Sequence, residues 1–186
     1  MLQAFAQALV AVTLVATWGQ DPAPTNPDAK TIADFQARVK EYATLHQKLE
    51  ATLPKLPEAA TSEQITAHQQ ALERLLTRAR ASARRGDIFT ESIRPYFRRQ
   101  LARALEGPDG RSVRQAITDE DTRAVRLAIN ARYPDDIPLS SVPSQILLLL
   151  PRLPEELQYG FVGDRLILLD VHANTVVDYI EKAVGR

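Results

Sequence analysis

Two histidines and a glutamate are the residues of this chain best suited to chemistry. His46 and Glu50 are one helical turn apart, and His68 lies in the next amphipathic segment. If the two segments pair as an antiparallel hairpin, the two imidazoles lie at matching heights. Imidazole and carboxylate groups are ligands of zinc and copper. The spacing therefore predicts a candidate metal site at His46, His68 and Glu50. Histidines outside an HExxH motif are more often packed in a helical seam and satisfied by neighbours.

A run of arginines is the second candidate. Nine arginines and only two acidic residues lie between residues 74 and 103, although the whole chain has 23 basic and 23 acidic residues. Guanidinium groups bind carboxylates and phosphates through paired hydrogen bonds. An anionic lipid, glycan or protein could therefore bind this surface, which comprises Arg84, Arg85, Arg94, Arg98, Arg99 and Arg103. The alternative is a solvated helical face that is partly paired with Glu73, Glu91 and Glu106.

Several classes of site are excluded by what the sequence lacks. The chain has no cysteine, which removes thiol catalysis, cysteine-ligated zinc and iron–sulfur clusters. It also has no GxSxG or SxxK motif and no glycine-rich phosphate loop, and we expect no cofactor. Whether the protein is an enzyme is left open, and a non-enzymatic role is favoured.

The N-terminus has the character of an export signal. Residues 2–18 are uncharged and largely apolar, about the length of a signal-peptide apolar region and short for a membrane span. We predict a signal peptide over 1–19, cut after Gly19, and a proline-rich linker over 20–27. An uncleaved membrane anchor and a core helix are the alternatives. Export to the periplasm or beyond argues against nucleic acid as the partner, as does the absence of a nucleic-acid motif.

Three helices are predicted over 28–106. The first has apolar residues at spacings of three and four and is ended by Pro54 and Pro57. The second begins at Thr61 or Ser62, and the short loop between them implies an antiparallel hairpin. The third begins near Ser92 and is ended by the glycine and proline at 107–108.

The segment 107–186 is predicted to be a small α+β part with antiparallel strands, which begins with a short helix at 111–118. Apolar residues alternate strictly from Val125 to Tyr133, which predicts a half-buried strand. Ser141 can cap a short helix that carries Ile146 to Leu150. A hairpin over 157–162 and 166–171 turns at Gly163, and 176–180 is a third strand in preference to a helix. The fold class is therefore α+β, with an N-terminal three-helix part and a small C-terminal antiparallel β-meander.

The segments FQARVKEYATLHQKLEATLPKLP and FVGDRLILLDVHANTVVDYI resemble those of a family of uncharacterised bacterial exported proteins. The likeness extends over nearly the whole chain after the leader. It implies export and carries no activity.

Together these features favour an exported envelope protein that acts by binding an unknown envelope protein or an anionic surface. The alternative from a different class is a metal-binding protein or hydrolase that uses His46 and His68. A structural module that oligomerises through the helical seam is a third hypothesis.

Overall fold

The computed structural model describes residues 26–106, 110–117, 125–137 and 139–185. The predicted signal peptide, its Gly19 cut and residues 20–25 of the linker lie outside these ranges. No helix within them is both long enough and apolar enough to span a membrane.

The α+β fold class is confirmed, with helices in the N-terminal part and a four-stranded antiparallel sheet near the C-terminus. In chain order the elements are α1 (Ala29–Glu50), α2 (Ser62–Ala79), α3 (Arg94–Leu105), α4 (Gly110–Ile117), β1 (Ser140–Ser141), α5 (Ser144–Leu147), β2 (Leu157–Val162), β3 (Arg165–Asp170) and β4 (Thr175–Ile180).

Helices α1 and α2 form the predicted antiparallel hairpin. Glu50 at the end of α1 contacts His68 near the start of α2, and Tyr42, two turns earlier, lies under the Arg80 guanidinium just after α2. The start of α2 is fixed by a capping box, in which Thr61 accepts from the Gln64 backbone and the Gln64 side chain accepts from the Thr61 N–H. Helix α1 ends at Glu50, and the chain turns at residues 51–53, directly before Pro54.

An aromatic cluster joins the helices to the sheet. The ring centroid of Phe97 on α3 lies 5.2 Å from that of Phe35 on α1, 5.0 Å from that of Phe89 and 5.9 Å from that of Tyr159 on β2. Aromatic pairs at such distances stabilise a core beyond their buried area. One continuous core therefore contains side chains from both parts of the chain.

The sheet is a meander in the order β1-β2-β3-β4. The predicted hairpin is confirmed: β2 and β3 are joined by a turn at Gly163, which has a φ of 61°. The 176–180 segment forms strand β4, as preferred over a helix. Asp178 on β4 is buried, and its carboxylate accepts hydrogen bonds from the backbone N–H groups of Gly86, Ile88 and Phe89. This ties the loop before α3 to the sheet.

The strand predicted from Val125 to Tyr133 is wrong. The chain turns at Asn130, which has a φ of 62°, and only an isolated bridge between Arg132 and Thr175 pairs it with β4. The alternation of apolar residues has another cause. Val125 and Tyr133 pack on the face of the sheet opposite the helices, against Ile167 and other strand side chains.

The predicted cap at Ser141 is also wrong. Ser141 pairs with Gly160 in the short strand β1, and helix α5 begins at Ser144, directly after Pro143. Pro143 is the N-cap of α5, and its ring fixes the φ of −55° with which the chain enters the helix.

Candidate metal centre

The carboxylate of Asp170 organises the site. Asp170 is the last residue of β3 and is fully buried. Its Oδ2 accepts a hydrogen bond from the Tyr42 hydroxyl at 2.6 Å and lies 2.6 Å from Nδ1 of His46. Its Oδ1 accepts from the backbone N–H groups of His172 and Ala173 at 3.0 and 2.8 Å. One carboxylate thus joins α1 to the β3–β4 turn and sets the position of His172.

Tyr42 and His46 reach the same carboxylate because they are four residues apart on one face of α1. That face is the apolar seam predicted for the first helix, and both residues are buried in it. Glu50 continues the same line by one more turn, at the last residue of α1. Helical periodicity therefore supplies half of the site from one segment.

All three histidines of the chain converge on Glu50. Nε2 of His46 lies 3.1 Å from Oε2 of Glu50. Nδ1 of His172 lies 3.3 Å from Oε1, and Nε2 of His68 lies 3.4 Å from the same oxygen. The ligand atoms of His46, Glu50 and His172 are all within 4.8 Å of one another.

These separations suit a tetrahedral metal ion. Zinc bonds of ~2.0–2.2 Å to nitrogen and oxygen place neighbouring ligand atoms about 3.3–3.6 Å apart. Oε2 of Glu50 lies 3.1 Å from Nε2 of His46 and 3.4 Å from Nδ1 of His172, and both distances are close to that spacing. Nδ1 of His46 faces Asp170, which leaves Nε2 directed at the cluster. A carboxylate behind a metal-binding imidazole is a common arrangement, because it fixes the tautomer and the ring orientation.

The charges of the site shift its ionisation. Burial alone would lower the pKa of His46, but the hydrogen bond and charge of Asp170, and then Glu50, outweigh it and raise that pKa. Burial likewise opposes ionisation of Glu50, but the charges of His172 and His46 and hydrogen bonds from His68 and His172 lower its pKa. The two carboxylates on either side of His46 thus both favour the protonated form of its ring.

Tyr42 keeps its proton. Its burial, followed by the negative charge of Asp170 and their hydrogen bond, raises its pKa far above the usual 10. The hydroxyl therefore donates to Asp170 throughout the ordinary pH range.

One side of the cluster is open to solvent. The His46 side chain is fully buried, whereas those of Glu50 and His172 are 31% and 40% exposed. The His68 side chain is 12% exposed. An ion can therefore reach the ligand atoms from outside, and a small ligand can approach the same side.

The predicted set of His46, His68 and Glu50 is brought together in part. His46 and Glu50 are adjacent, and His68 contacts Glu50, but the ring that packs against His46 is that of His172, at a centroid distance of 5.1 Å. Sequence reasoning missed His172 and Asp170. Their signal was present in a short turn, where an aspartate ends a strand and a histidine follows two residues later.

The arginine candidates are spread over several contacts within the protein. The Arg85 side chain pairs with Glu181, and that of Arg98 donates to the Glu181 carbonyl. Arg94 donates to the Phe89 carbonyl, and Arg99 pairs with Asp28. The acidic partners are thus Glu181 and Asp28, while Glu73 lies beside Arg132 instead. These contacts occupy part of the hydrogen-bonding capacity that an anionic partner would need. Arg84 and Arg103 are exposed and remain candidates for binding such a partner.

Comparison of the chain with protein-family models, curated proteins and solved structures found no match. The resemblance to uncharacterised exported proteins therefore stays a prediction.

Proposed function

We propose that the protein binds a transition-metal ion, zinc in preference to others, through His46, Glu50 and His172. The observation that carries this proposal is the convergence of their ligand atoms within 4.8 Å, on a buried imidazole whose other nitrogen faces Asp170. Two imidazoles and one carboxylate suit zinc, whereas magnesium and calcium prefer sites made of oxygen atoms.

The number of ligands bears on what the metal would do. A zinc ion held by three protein ligands keeps a fourth position for water or for a ligand atom, as catalytic zinc sites do and structural ones do not. The exposed edges of Glu50 and His172 support an open position of this kind. The proposal is thus one of metal binding with an accessible coordination position, and it holds for a binding protein as well as for a hydrolase.

The competing role for the same residues is structural. A protonated His46 between Asp170 and Glu50 would tie α1 to the β3–β4 turn with no metal present. The two roles differ in what they require of Glu50. If the role is structural, replacing the partly exposed Glu50 should cost little stability. If the role is metal binding, the same replacement removes one of three bonds to the metal and should lower the affinity strongly.

The test is metal analysis of protein prepared without a polyhistidine tag and equilibrated with zinc. We expect stoichiometric zinc in the wild-type chain and a large loss of affinity in Glu50→Gln. Glu41→Gln is the matched control, since Glu41 is an exposed glutamate of the same helix. Absence of bound zinc, together with an unchanged melting temperature when zinc is added, would refute the proposal.

We also propose, from residues 2–18, that the protein acts outside the cytoplasm. The support is the length and lack of charge of that segment. Expression of the full chain in a bacterial host, followed by fractionation and mass measurement, tests this. The expected product is an envelope or secreted chain that begins at Gln20, and a full-length cytosolic chain would count against export.

A further inference from the structure

A pocket of about 290 Å³ lies beside the histidine cluster, between the chain that follows α1 and the first turns of α2. Its lining is mostly apolar and includes Leu56, Pro57, Ala67 and Ala71. Leu56 is 41% exposed, so part of this apolar lining faces solvent. Pockets that hold small molecules are typically apolar with a few polar groups, and this one is at the small end of their range.

His68 belongs to both the pocket and the cluster. Its ring lines the pocket, and its Nε2 lies 3.4 Å from Oε1 of Glu50. A molecule in the pocket would therefore touch an imidazole that contacts a proposed metal ligand. Lys55 also lines the pocket and adds a positive charge to its rim.

We propose that this pocket holds the apolar part of a small carboxylate ligand, whose carboxylate takes the open coordination position of the metal. This inference rests on the proposed metal site. Carboxylate oxygens are zinc ligands, and the metal and Lys55 both favour an anion. The apolar lining and exposed Leu56 favour a hydrocarbon tail, because covering them removes apolar surface from water.

The probe is octanoate, with acetate as the comparison that has the same head group and almost no tail. Both are titrated into cobalt-substituted protein, whose visible absorption reports a change of the metal's ligands, and into metal-free protein by calorimetry. Each buried methylene is worth about a fourfold gain in affinity. We therefore expect octanoate to bind the metal-loaded protein at least about tenfold more tightly than acetate. We also expect octanoate to bind the metal-loaded protein more tightly than the metal-free protein.

Ala67→Leu tests the pocket without disturbing the core, since Ala67 is exposed on α2 and its larger side chain would fill the space for the tail. Ala102→Leu, at an exposed alanine of α3, is the matched control. The expected result is weaker octanoate binding and unchanged acetate binding in Ala67→Leu, with wild-type affinities in the control.

Three outcomes would overturn the inference: equal affinities for octanoate and acetate, octanoate binding that ignores Ala67→Leu, or octanoate binding that is as tight without metal. Failure of the metal site itself is recognised separately, because the zinc content is measured before any carboxylate is added. Loss of zinc from Ala67→Leu would show that the substitution acts on the metal rather than on the pocket, and would also count against the inference.

Discussion

Nδ1 of His46 lies 2.6 Å from Oδ2 of Asp170. Both side chains are fully buried, and the two residues are 124 positions apart in the chain. This contact fixes which nitrogen of His46 faces the other ligands. It also holds the β3–β4 turn, and with it His172, against α1. The orientation of His46 and the placement of His172 in the proposed metal site both depend on it.

Substitution Asp170→Asn is expected to weaken zinc binding by about 10–100-fold, because the amide no longer orients His46 as an anionic acceptor does. Asp178→Asn is the control, since Asp178 is also a buried carboxylate of the sheet and accepts backbone hydrogen bonds from residues 86–89. Both variants should lose stability in urea unfolding, but only Asp170→Asn should lose zinc affinity. Equal zinc affinities in the two variants would separate Asp170 from the metal site.

The two histidines that contact Glu50 from outside α1 are expected to differ in importance. His172→Gln removes a proposed ligand and should abolish stoichiometric zinc binding, whereas His68→Gln should leave zinc bound with an affinity within about tenfold of wild type. Isothermal titration with zinc measures both. The reverse order of effects would restore the set of His46, His68 and Glu50 as the metal ligands.

The stability of the metal-free and zinc-loaded proteins should depend on pH in opposite ways. The pKa of His46 is raised above 6.5 in the folded protein, so its contribution is complete below the unfolded value and is lost as pH rises through the folded one. Zinc requires His46 without its Nε2 proton, so zinc affinity rises over the same interval. Urea unfolding between about pH 6 and about pH 8, with chelator or with zinc, tests this.

The titration of the Glu50 carboxylate lies outside the pH interval of that measurement. Its pKa is lowered from 4.5, so its contribution is present above that value and is lost only as pH falls further. Glu50→Gln is therefore a useful companion variant. It should make the metal-free slope shallower, because one of the charges that raises the pKa of His46 is gone. An unchanged slope would show that the charge of Glu50 does not raise the pKa of His46.

The Tyr42 hydroxyl is expected to stabilise the fold through its bond to Asp170. Tyr42→Phe should lower the free energy of unfolding by about 1.5–3 kcal/mol, the range for a hydrogen bond to a charged group. Tyr96→Phe is the comparison, because the Tyr96 hydroxyl donates to the neutral carbonyl of Leu149 in a part-buried position. That variant should lose only about 0.5–1.5 kcal/mol. Equal losses would indicate that Asp170 has no special demand for the tyrosine proton.

Local patterns in the sequence were sufficient for most of the secondary structure. The spacing of apolar residues predicted the helical hairpin, and the run from Leu157 to Asp170 with its Gly163 turn predicted the central strands. His46 and Glu50 could be paired because a helix places residues four apart side by side. In each case the residues involved are close in the chain, so backbone geometry alone relates them.

Tertiary packing decided the rest. The alternation from Val125 to Tyr133 looks the same whether the segment is a strand or an irregular cover over a sheet, and only contact with the second face of the sheet distinguishes them. The sequence therefore determined the α+β class, most of its elements and half of the candidate site. His172 and Asp170 joined it only through the docking of the β3–β4 turn on α1. That docking depends on how buried side chains more than a hundred residues apart fit together, which no local period records.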